Sequence, residues 1–228
     1  MILPLWKKVL TNIYHELISN PLPDSQALEI KQHLNAMRFA LFFALLLAAL
    51  SFMACGQSFT DPRDGQAYKV VQIGNVTWFA ENLNYEVDGS VCPEGDSRNC
   101  EKYGRLYTWE VAQNVCPEGW MLPDSLDLAK LVEQAGGESQ AGDALKATDG
   151  WFKKGNGSDA FGFKALPAGF RNVEGAYDGI GGYAYIWSAT ETLDGLAYYL
   201  FLDFSSKSAG LNAFGKGDSR SIRCIQKP

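Results

Sequence analysis

The sequence holds few of the side chains on which most enzyme mechanisms depend. Its 228 residues include only two histidines, His15 and His33, and both precede the apolar stretch 39–54. We predict that this stretch is part of a removable export signal, which would leave no imidazole in the mature chain. Ser-His-Asp catalysis, Cys-His catalysis and zinc held by histidine are therefore excluded.

Paired carboxylates are a catalytic arrangement that needs no histidine. Glycoside hydrolases place two Asp or Glu side chains on either side of the bond they break. The acidic residues that would qualify, if the fold brought them together, are Glu81, Glu191, Asp194 and Asp203. A simpler interpretation is that Glu81 and Glu191 accept hydrogen bonds from loop backbone amides. We favour it and expect no catalytic residue, with a carboxylate-based glycoside hydrolase as the alternative.

The cysteines predict disulfide bonds rather than a metal centre. Four remain when Cys55 is set aside, namely Cys92, Cys100, Cys116 and Cys224. Four cysteines allow three connectivities. Cys92 and Cys100 flank a seven-residue loop rich in turn-forming residues, so local pairing is the simplest choice and leaves Cys116 to pair with Cys224. A four-cysteine zinc site is not favoured, because no two of these cysteines have the close spacing that such sites use.

An aromatic and glycine-rich segment, 170–199, is the best candidate for a binding surface. Aromatic side chains beside flexible loops suit recognition of carbohydrate or protein. Alternation along 183–187 places three aromatic residues on one strand face, which is also typical of a core, and we assign Trp187 to the core. Tyr177 lies in the glycine-rich loop and is the candidate most expected to be exposed. The full set of predicted ligand-binding residues is Tyr177, Tyr183, Tyr185, Glu191 and Tyr198.

The net charge argues against a nucleic-acid partner, and the scattered positions of the loop acids argue against a metal cofactor. Lys and Arg number 20 and Asp and Glu 26, which gives a formal net charge of −6 and no basic stripe for a phosphate backbone. The loop acids are scattered: Asp149, Asp159, Asp178, Asp194 and Asp218. We interpret them as solvated, with a structural calcium site as the alternative. No cofactor and no metal ligand is expected.

The N-terminal region predicts export. Residues 37–55 combine Met37 and Arg38 with the apolar stretch and end at Cys55, in the manner of a lipoprotein-type signal peptide in which Cys55 carries the lipid. Cleavage after Gly56 and an uncleaved anchor are the alternatives. Residues 1–36 would then be an upstream extension and 56–60 a short linker. The expected location is the cell envelope, as a membrane-anchored lipoprotein, or secreted or periplasmic if Cys55 is not lipidated.

Residues 61–227 are predicted to form one α+β domain. Two β-rich runs, 68–73 and 76–80, are separated by Gly-Asn, a hairpin signal. Helical spacing follows at 106–113 and 128–135, and a third short helix is predicted over 140–147. The last β-rich runs are 183–189, 196–204 and 221–226. The domain is therefore expected to end in antiparallel strands, and we expect its first and last strands to pair.

Several motifs of this domain resemble those of the Fibrobacter succinogenes major paralogous domain family. They are Asp-Gly-Gln-Ala-Tyr at 64–68, Trp-Phe-Ala-Glu-Asn-Leu-Asn at 78–84, Tyr-Gly-Arg-Leu-Tyr-Thr-Trp at 103–109, Cys-Pro-Glu-Gly-Trp-Met-Leu-Pro at 116–123, Leu-Pro-Ala-Gly-Phe-Arg at 166–171, Trp-Ser-Ala-Thr-Glu at 187–191 and Arg-Cys at 223–224. The resemblance implies a C-type lectin-like fold, export and often lipidation, with no established activity. It also favours the Cys116–Cys224 bridge.

The resemblance does not extend to calcium-dependent sugar binding. Lectins of that kind use Glu-Pro-Asn or Gln-Pro-Asp together with Trp-Asn-Asp, and none of these occurs here. We therefore expect a non-enzymatic binding or adhesion module, held at the membrane by lipid on Cys55, whose ligand is a polysaccharide or a protein. A purely structural envelope role is the further alternative.

Overall fold

The computed structural model describes residues 57–227. The predicted extension, the signal segment and Cys55 lie outside these residues. The strands are β1 (Ser58–Thr60), β2 (Ala67–Ile73), β3 (Val76–Phe79), β4 (Ser90–Val91), β5 (Leu106–Thr108), β6 (Ala168–Arg171), β7 (Tyr177–Ile180), β8 (Tyr183–Glu191), β9 (Ala197–Asp203), β10 (Ala209–Phe214), β11 (Ser219–Arg220) and β12 (Ile225–Gln226). The helices are α1 (Ser97–Tyr103), α2 (Trp109–Ala112), α3 (Ser125–Gln134) and α4 (Ala141–Leu145).

The N-terminal hairpin and the last strand form one small sheet. β2 and β3 pair antiparallel across the Gly74-Asn75 turn, as predicted, and Gly74 adopts the positive φ of 63° that the turn requires. β12 pairs with β3, so that Ile225 lies opposite Trp78 and the terminal strands meet. β1 pairs with the other edge of β2, which gives the order β1-β2-β3-β12. The segment 58–60, predicted as linker, is therefore part of the sheet.

The larger sheet supports the second half of the chain. Its order is β10-β9-β8-β6-β11-β5-β4, with β7 paired to β6. All pairs are antiparallel except β6 with β8. The β8–β9 hairpin is its longest element, and the alternating side chains of a strand place its aromatic residues on one face and its aliphatic residues on the other. The mixture of helices and antiparallel strands confirms the α+β class.

Helix α3 packs on the aliphatic face of this hairpin. Asp124 caps the first turn by accepting from Asp127 N, and the Asp127 carboxylate accepts from Asp124 N, a capping box that fixes the start of the helix. Leu128, Leu131 and Val132 face inward and are buried in a cluster that also contains Trp78, Leu145, Phe163, Ile186, Leu200, Leu202 and Ile225. This cluster is the larger part of the core, and α3 and α4 match the predicted second and third helices.

Two of the predicted elements are corrected by the structure. Within 106–113 only α2 is helical, because Leu106 and Tyr107 are both fully buried in β5 between neighbouring strands. Strand pairing outweighs the helical spacing there. Within 221–226 only β12 is a strand, because the chain leaves the large sheet after β11 and crosses to the small one. The predicted turn-rich loop between Cys92 and Cys100 contains the start of α1, which Asp96 caps.

Arg223 is the polar centre of the crossing segment. Its side chain is fully buried, and its guanidinium donates to Asn82 Oδ1 at 2.6 Å and to the backbone oxygens of Phe79, Phe163 and Lys164 at 3.0, 2.5 and 2.8 Å. Asn82 in turn donates to Tyr103 O. Burial lowers the pKa of Arg223 to about 9. These bonds connect the small sheet, α1 and the final segment.

Two disulfides join the predicted cysteine pairs. Cys92 bonds to Cys100, which lies within α1, and Cys116 bonds to Cys224, 108 residues further along the chain. The second bridge ties the turn after α2 to the segment before β12. Within residues 57–227, no helix has the length and the apolar character needed to cross a membrane.

Candidate functional site

A pocket of about 480 Å³ opens on the aromatic face of the β8–β9 hairpin. Tyr185 on β8 and Tyr199 on β9 lie 5.7 Å apart between ring centres. β6 contributes Phe170, whose ring is 5.2 Å from that of Tyr185, and β10 contributes Phe214 at its last position. Since the hydrogen-bonded strands hold these rings, the pocket is formed before any ligand arrives. Its lining residues are Phe170, Asn172, Val173, Glu174, Tyr185, Tyr199, Phe214, Asp218 and Arg220.

Gly169 makes the close approach of β6 and β7 possible. It has a positive φ of 67°, and a Cβ atom there would collide with the backbone of Asp178 and Gly179 on β7. The tight pairing holds Phe170 opposite Asp178 and positions its ring at the pocket wall. The family-like motif at 166–171 thus has a geometric role next to the pocket.

Arg220 forms the floor of the pocket and is surrounded by aromatic rings. Its guanidinium carbon lies 3.9 Å from the ring centre of Tyr199, 4.7 Å from that of Trp187 and 4.9 Å from that of Tyr185. Phe170 and Phe214 follow at 5.6 and 5.8 Å. Cation–π contacts of this kind each contribute roughly 0.5–2 kcal/mol, more as the cation loses water. The aromatic face therefore holds a cation inside the protein.

The hydrogen bonding of Arg220 is incomplete. Nη2 donates to Asp218 Oδ2 at 2.8 Å, and both side chains are almost fully buried, at 3% and 5% exposure. Within the described part of the chain, Nε and Nη1 have no acceptor. A buried donor without a partner costs roughly 1–3 kcal/mol. Nε and Nη1 are themselves buried beside the rings of Tyr185 and Tyr199, so a molecule in the pocket reaches them only if these side chains move.

Burial changes the pKa values of the ionisable groups at this site. It lowers the pKa of the Arg220 guanidinium, while the Tyr199 hydroxyl and the Asp218 carboxylate act in the opposite direction. The pKa of Tyr185 is raised to about 12, mainly by burial, although the charge of Arg220 opposes the rise. Tyr185 is therefore protonated at neutral pH and its hydroxyl can both donate and accept.

Of the five predicted ligand-binding residues, the pocket contains Tyr185. Tyr183 lies further along the same face, stacked on Phe201 with ring centres 5.9 Å apart. Tyr198 alternates with Tyr199 and so points to the opposite face of β9. These two side chains are half-buried and do not line the pocket.

Tyr177 and Glu191 have other partners. Tyr177 belongs to β7 rather than to a free loop, and it packs on a small cluster around Tyr103, Leu106 and Ala168. Glu191 ends β8 and forms an ion pair with Lys216. Glu81 accepts a hydrogen bond from a backbone amide, as predicted, but the donor is Lys69 N of strand β2, at 2.9 Å, and not a loop amide.

The strand register separates two of the four carboxylates considered for catalysis. Asp203 lies opposite Tyr183, at one end of the β8–β9 hairpin, and Glu191 lies opposite Ala197, at the other end. Eight residues of strand correspond to more than about 20 Å, whereas paired glycosidase carboxylates are within about 10 Å of each other. This pair therefore cannot act on one glycosidic bond.

A second pocket, of about 230 Å³, is polar and lies between the small sheet and α1. Asn82, Asn84, Tyr103 and Lys164 contribute to its wall, and among residues 57–227 Asn84 Oδ1 is a buried acceptor without a donor. A single unsatisfied oxygen in a small polar space is typical of a water site. In the same described range, no group of three or more His, Cys, Asp or Glu side chains is placed to hold a metal ion.

Sequence reasoning missed Arg220 and Phe214 as pocket residues. Its interpretation of Asp218 as a solvated loop acid is wrong, because the Asp218 side chain is 5% exposed, pairs with Arg220 and lines the pocket. The alternation Asp218-Ser219-Arg220 places the acid and the base on one side of an extended segment, and this is the signal that could have found the pair. No local pattern indicates that five rings from distant strands gather around Arg220. That arrangement is a product of the sheet order.

Comparison with known proteins gives one match. A family model described as the Fibrobacter succinogenes major domain matches residues 71–226, which is more than half of the chain. The searches of curated proteins and of solved structures found no match.

Proposed function

The chain belongs to the Fibrobacter succinogenes major domain family, and we propose that it is a non-enzymatic binding module whose ligand occupies the pocket above Arg220. The observation that carries this proposal is the open pocket of about 480 Å³, which is lined by four aromatic side chains and a few polar groups and lies beside an almost fully buried arginine. A preformed and largely apolar pocket with a few polar groups at its wall is the usual form of a small-molecule site.

The chemistry of the wall supports a carbohydrate as the ligand. Aromatic rings bind apolar surface, and the faces of Phe170, Tyr185, Tyr199 and Phe214 suit the C–H groups of a sugar ring. A sugar also presents hydroxyl groups, which can form hydrogen bonds with polar side chains of the lining such as Asn172, Glu174 and Tyr185. The volume of about 480 Å³ is in the range of small-molecule sites and fits one or two sugar rings.

A cell-envelope location belongs to the same proposal. Two disulfides support it, because disulfide bonds persist in oxidising compartments outside the cytoplasm. We propose that the lipid attached to Cys55 anchors the domain to a membrane. Mass spectrometry of the native N-terminus tests this directly: a diacylated Cys55 is expected, and an unmodified chain beginning at another residue would contradict it.

We also propose a C-type lectin-like arrangement for the domain. Three features support it: the pairing of β12 with β3 at the chain ends, the Cys116–Cys224 bridge to the last segment, and the position of α3 against the hairpin. An experimental structure, compared with lectin domains by strand order, tests this proposal.

The ligand pocket is tested with two phenylalanine variants of the full-length chain. Phe214 lines the pocket and is 55% exposed, whereas Phe152 is 54% exposed and lies outside it. We expect Phe214→Ala to weaken retention on an insoluble polysaccharide, or binding on a glycan array, by roughly tenfold, which corresponds to about 1.4 kcal/mol. Phe152→Ala is the matched control and should bind like the parent chain.

A turnover assay on the same samples separates the alternatives. Binding without release of reducing sugar supports the module. Release of reducing sugar that is lost in Glu191→Gln would instead support the glycoside hydrolase. If neither binding nor turnover is detected, a structural role in the envelope is the remaining alternative. If the two phenylalanine variants bind equally well, the ligand lies elsewhere on the surface.

A further inference from the structure

We infer that the pocket above Arg220 selects uncharged sugars and rejects acidic ones, such as uronic acids. The inference rests on the proposed function, since it names the class of carbohydrate that the same site takes. A buried arginine beside a pocket would ordinarily suggest an anionic ligand. Three features of this pocket argue for the opposite selectivity.

The first feature is that the charge of Arg220 is already compensated. Asp218 forms an ion pair with it at 2.8 Å, and both side chains are almost fully buried. Glu174 adds a second carboxylate to the lining, so the wall carries one cation and two anions. A ligand carboxylate would therefore meet a net negative wall. The free-energy cost of removing its water would not be offset by an unpaired cation.

The second feature is the position of the neighbouring arginine. Arg171 follows Phe170 on β6, and successive strand residues point to opposite faces. Its guanidinium lies over the ring of Tyr177 at 5.9 Å and beside Gly175. Arg171 is not among the lining residues, so it does not restore a positive charge to the pocket.

The third feature is the electrostatics of the aromatic wall. The face of an aromatic ring carries the negative part of its quadrupole, which attracts cations and C–H groups and repels anions. Tyr185, Tyr199, Phe170 and Phe214 surround the space next to the Arg220 guanidinium. A carboxylate in the pocket would lie against these rings, whereas a sugar hydroxyl brings no charge for them to repel.

The experiment compares sugars that differ by one charge. The full-length chain is titrated at pH 7 with neutral oligosaccharides and with their counterparts in which the C6 hydroxymethyl group is oxidised to a carboxylate, chosen from the neutral glycans retained on an array. We expect the neutral member of each pair to bind at least about tenfold more tightly. Raising the ionic strength should reduce the difference, because the exposed Glu174 is screened by salt.

Glu174→Gln is the variant that tests the mechanism. It removes one carboxylate from the lining and should improve binding of the oxidised sugars, relative to that of their neutral counterparts, by about threefold. Glu133→Gln, an exposed acid on α3, is the matched control and should change neither.

The outcomes distinguish the selectivity from the function. If no glycan of either kind binds, the proposed function fails. If oxidised sugars bind as tightly as neutral ones, or more tightly, the module stands and the selectivity is overturned. If the discrimination is observed but Glu174→Gln and Glu133→Gln alter it equally, its origin is the overall charge and the inference about the wall is overturned.

Discussion

Arg220 and Arg223 are both buried, but the protein satisfies them differently. Arg223 donates to four oxygens from two separate parts of the chain, residues 79–82 and 163–164. Arg220 has Asp218 as its acceptor, and two of its nitrogens have none within residues 57–227. The first pattern is that of a structural residue, because every contact strengthens the fold. The second leaves unused hydrogen-bonding capacity at a cavity wall.

Asn82 and Arg223 are single residues whose importance the sequence motifs indicated. Both belong to the motifs that carried the family resemblance, and their mutual hydrogen bond of 2.6 Å gives these motif positions a shared structural role. Arg220 stands only three residues earlier, outside those motifs. Its environment is built by β6, β8, β9 and β10, so the alternation of Asp218 and Arg220 could have indicated the ion pair but not the rings that surround it.

Asp61 is the residue for which we expect a clear dependence on pH. Burial raises its pKa, but the hydrogen bonds and the charge of Arg63 outweigh that effect and hold the pKa below its usual value. A carboxylate of this kind contributes stability above pH 4, and the contribution is lost as the pH falls through its lowered pKa. At pH 7, Asp61→Asn should reduce the free energy of unfolding by roughly 1–3 kcal/mol.

Urea unfolding at pH 7 and at pH 2.5 provides the measurement. The difference between Asp61→Asn and the parent chain should shrink at the lower pH, because the carboxyl is then protonated in the unfolded parent chain and folding must release that proton. Asp64→Asn, at an exposed acid three residues away, should show little difference at either pH. A loss in Asp61→Asn that is the same at both pH values would argue against the ion pair as its cause.

The helices and strands that are marked by local sequence signals, such as a turn dipeptide or a capping residue, were predicted best. The β2–β3 hairpin follows from Gly74-Asn75 between two β-rich runs, and α3 follows from its capping residue and apolar spacing. The segment 106–113 shows the limit of this reasoning. Leu106, Trp109 and Ala112 have helical spacing, yet β5 forms because Tyr107 pairs with Ser90 and Arg220 on its two sides. Non-local pairing of that kind leaves no trace in a short window.

The capping box of α3 gives a prediction at the same scale. Asp124 accepts from Asp127 N at 2.8 Å and also contacts Lys227, which connects the helix to the end of the chain. Asp124→Ala should lower the free energy of unfolding by about 1 kcal/mol, the usual cost of losing such a cap. Lys130→Ala, exposed in the middle of the helix, should change it by less than about 0.5 kcal/mol. Denaturant unfolding of both variants checks the difference, and equal effects would speak against the cap.

At the scale of the whole molecule, the two disulfides close loops of very different length. The cysteines are separated by 8 residues in one bridge and by 108 in the other. Loop-closure entropy gives about 2.5 kcal/mol for the short loop and about 5 kcal/mol for the long one. Replacing Cys116 and Cys224 by alanine should therefore destabilise the protein by about 2 kcal/mol more than replacing Cys92 and Cys100. Thermal or urea unfolding of the two double variants measures this, and comparable losses would show that chain entropy is not the dominant effect.

The order β1-β2-β3-β12 also determines where the two ends of the folded region emerge. Ser58 lies at the level of Lys69 and Gln226 at the level of Gln72, on opposite edges of the small sheet. Strand spacing and rise put them roughly 15–20 Å apart, a gap that a short glycine-serine segment spans. The chain can thus be circularly permuted, with new ends opened at the fully exposed Leu193 in the β8–β9 turn, which would transfer the attachment point of the domain to the other end of its longest hairpin.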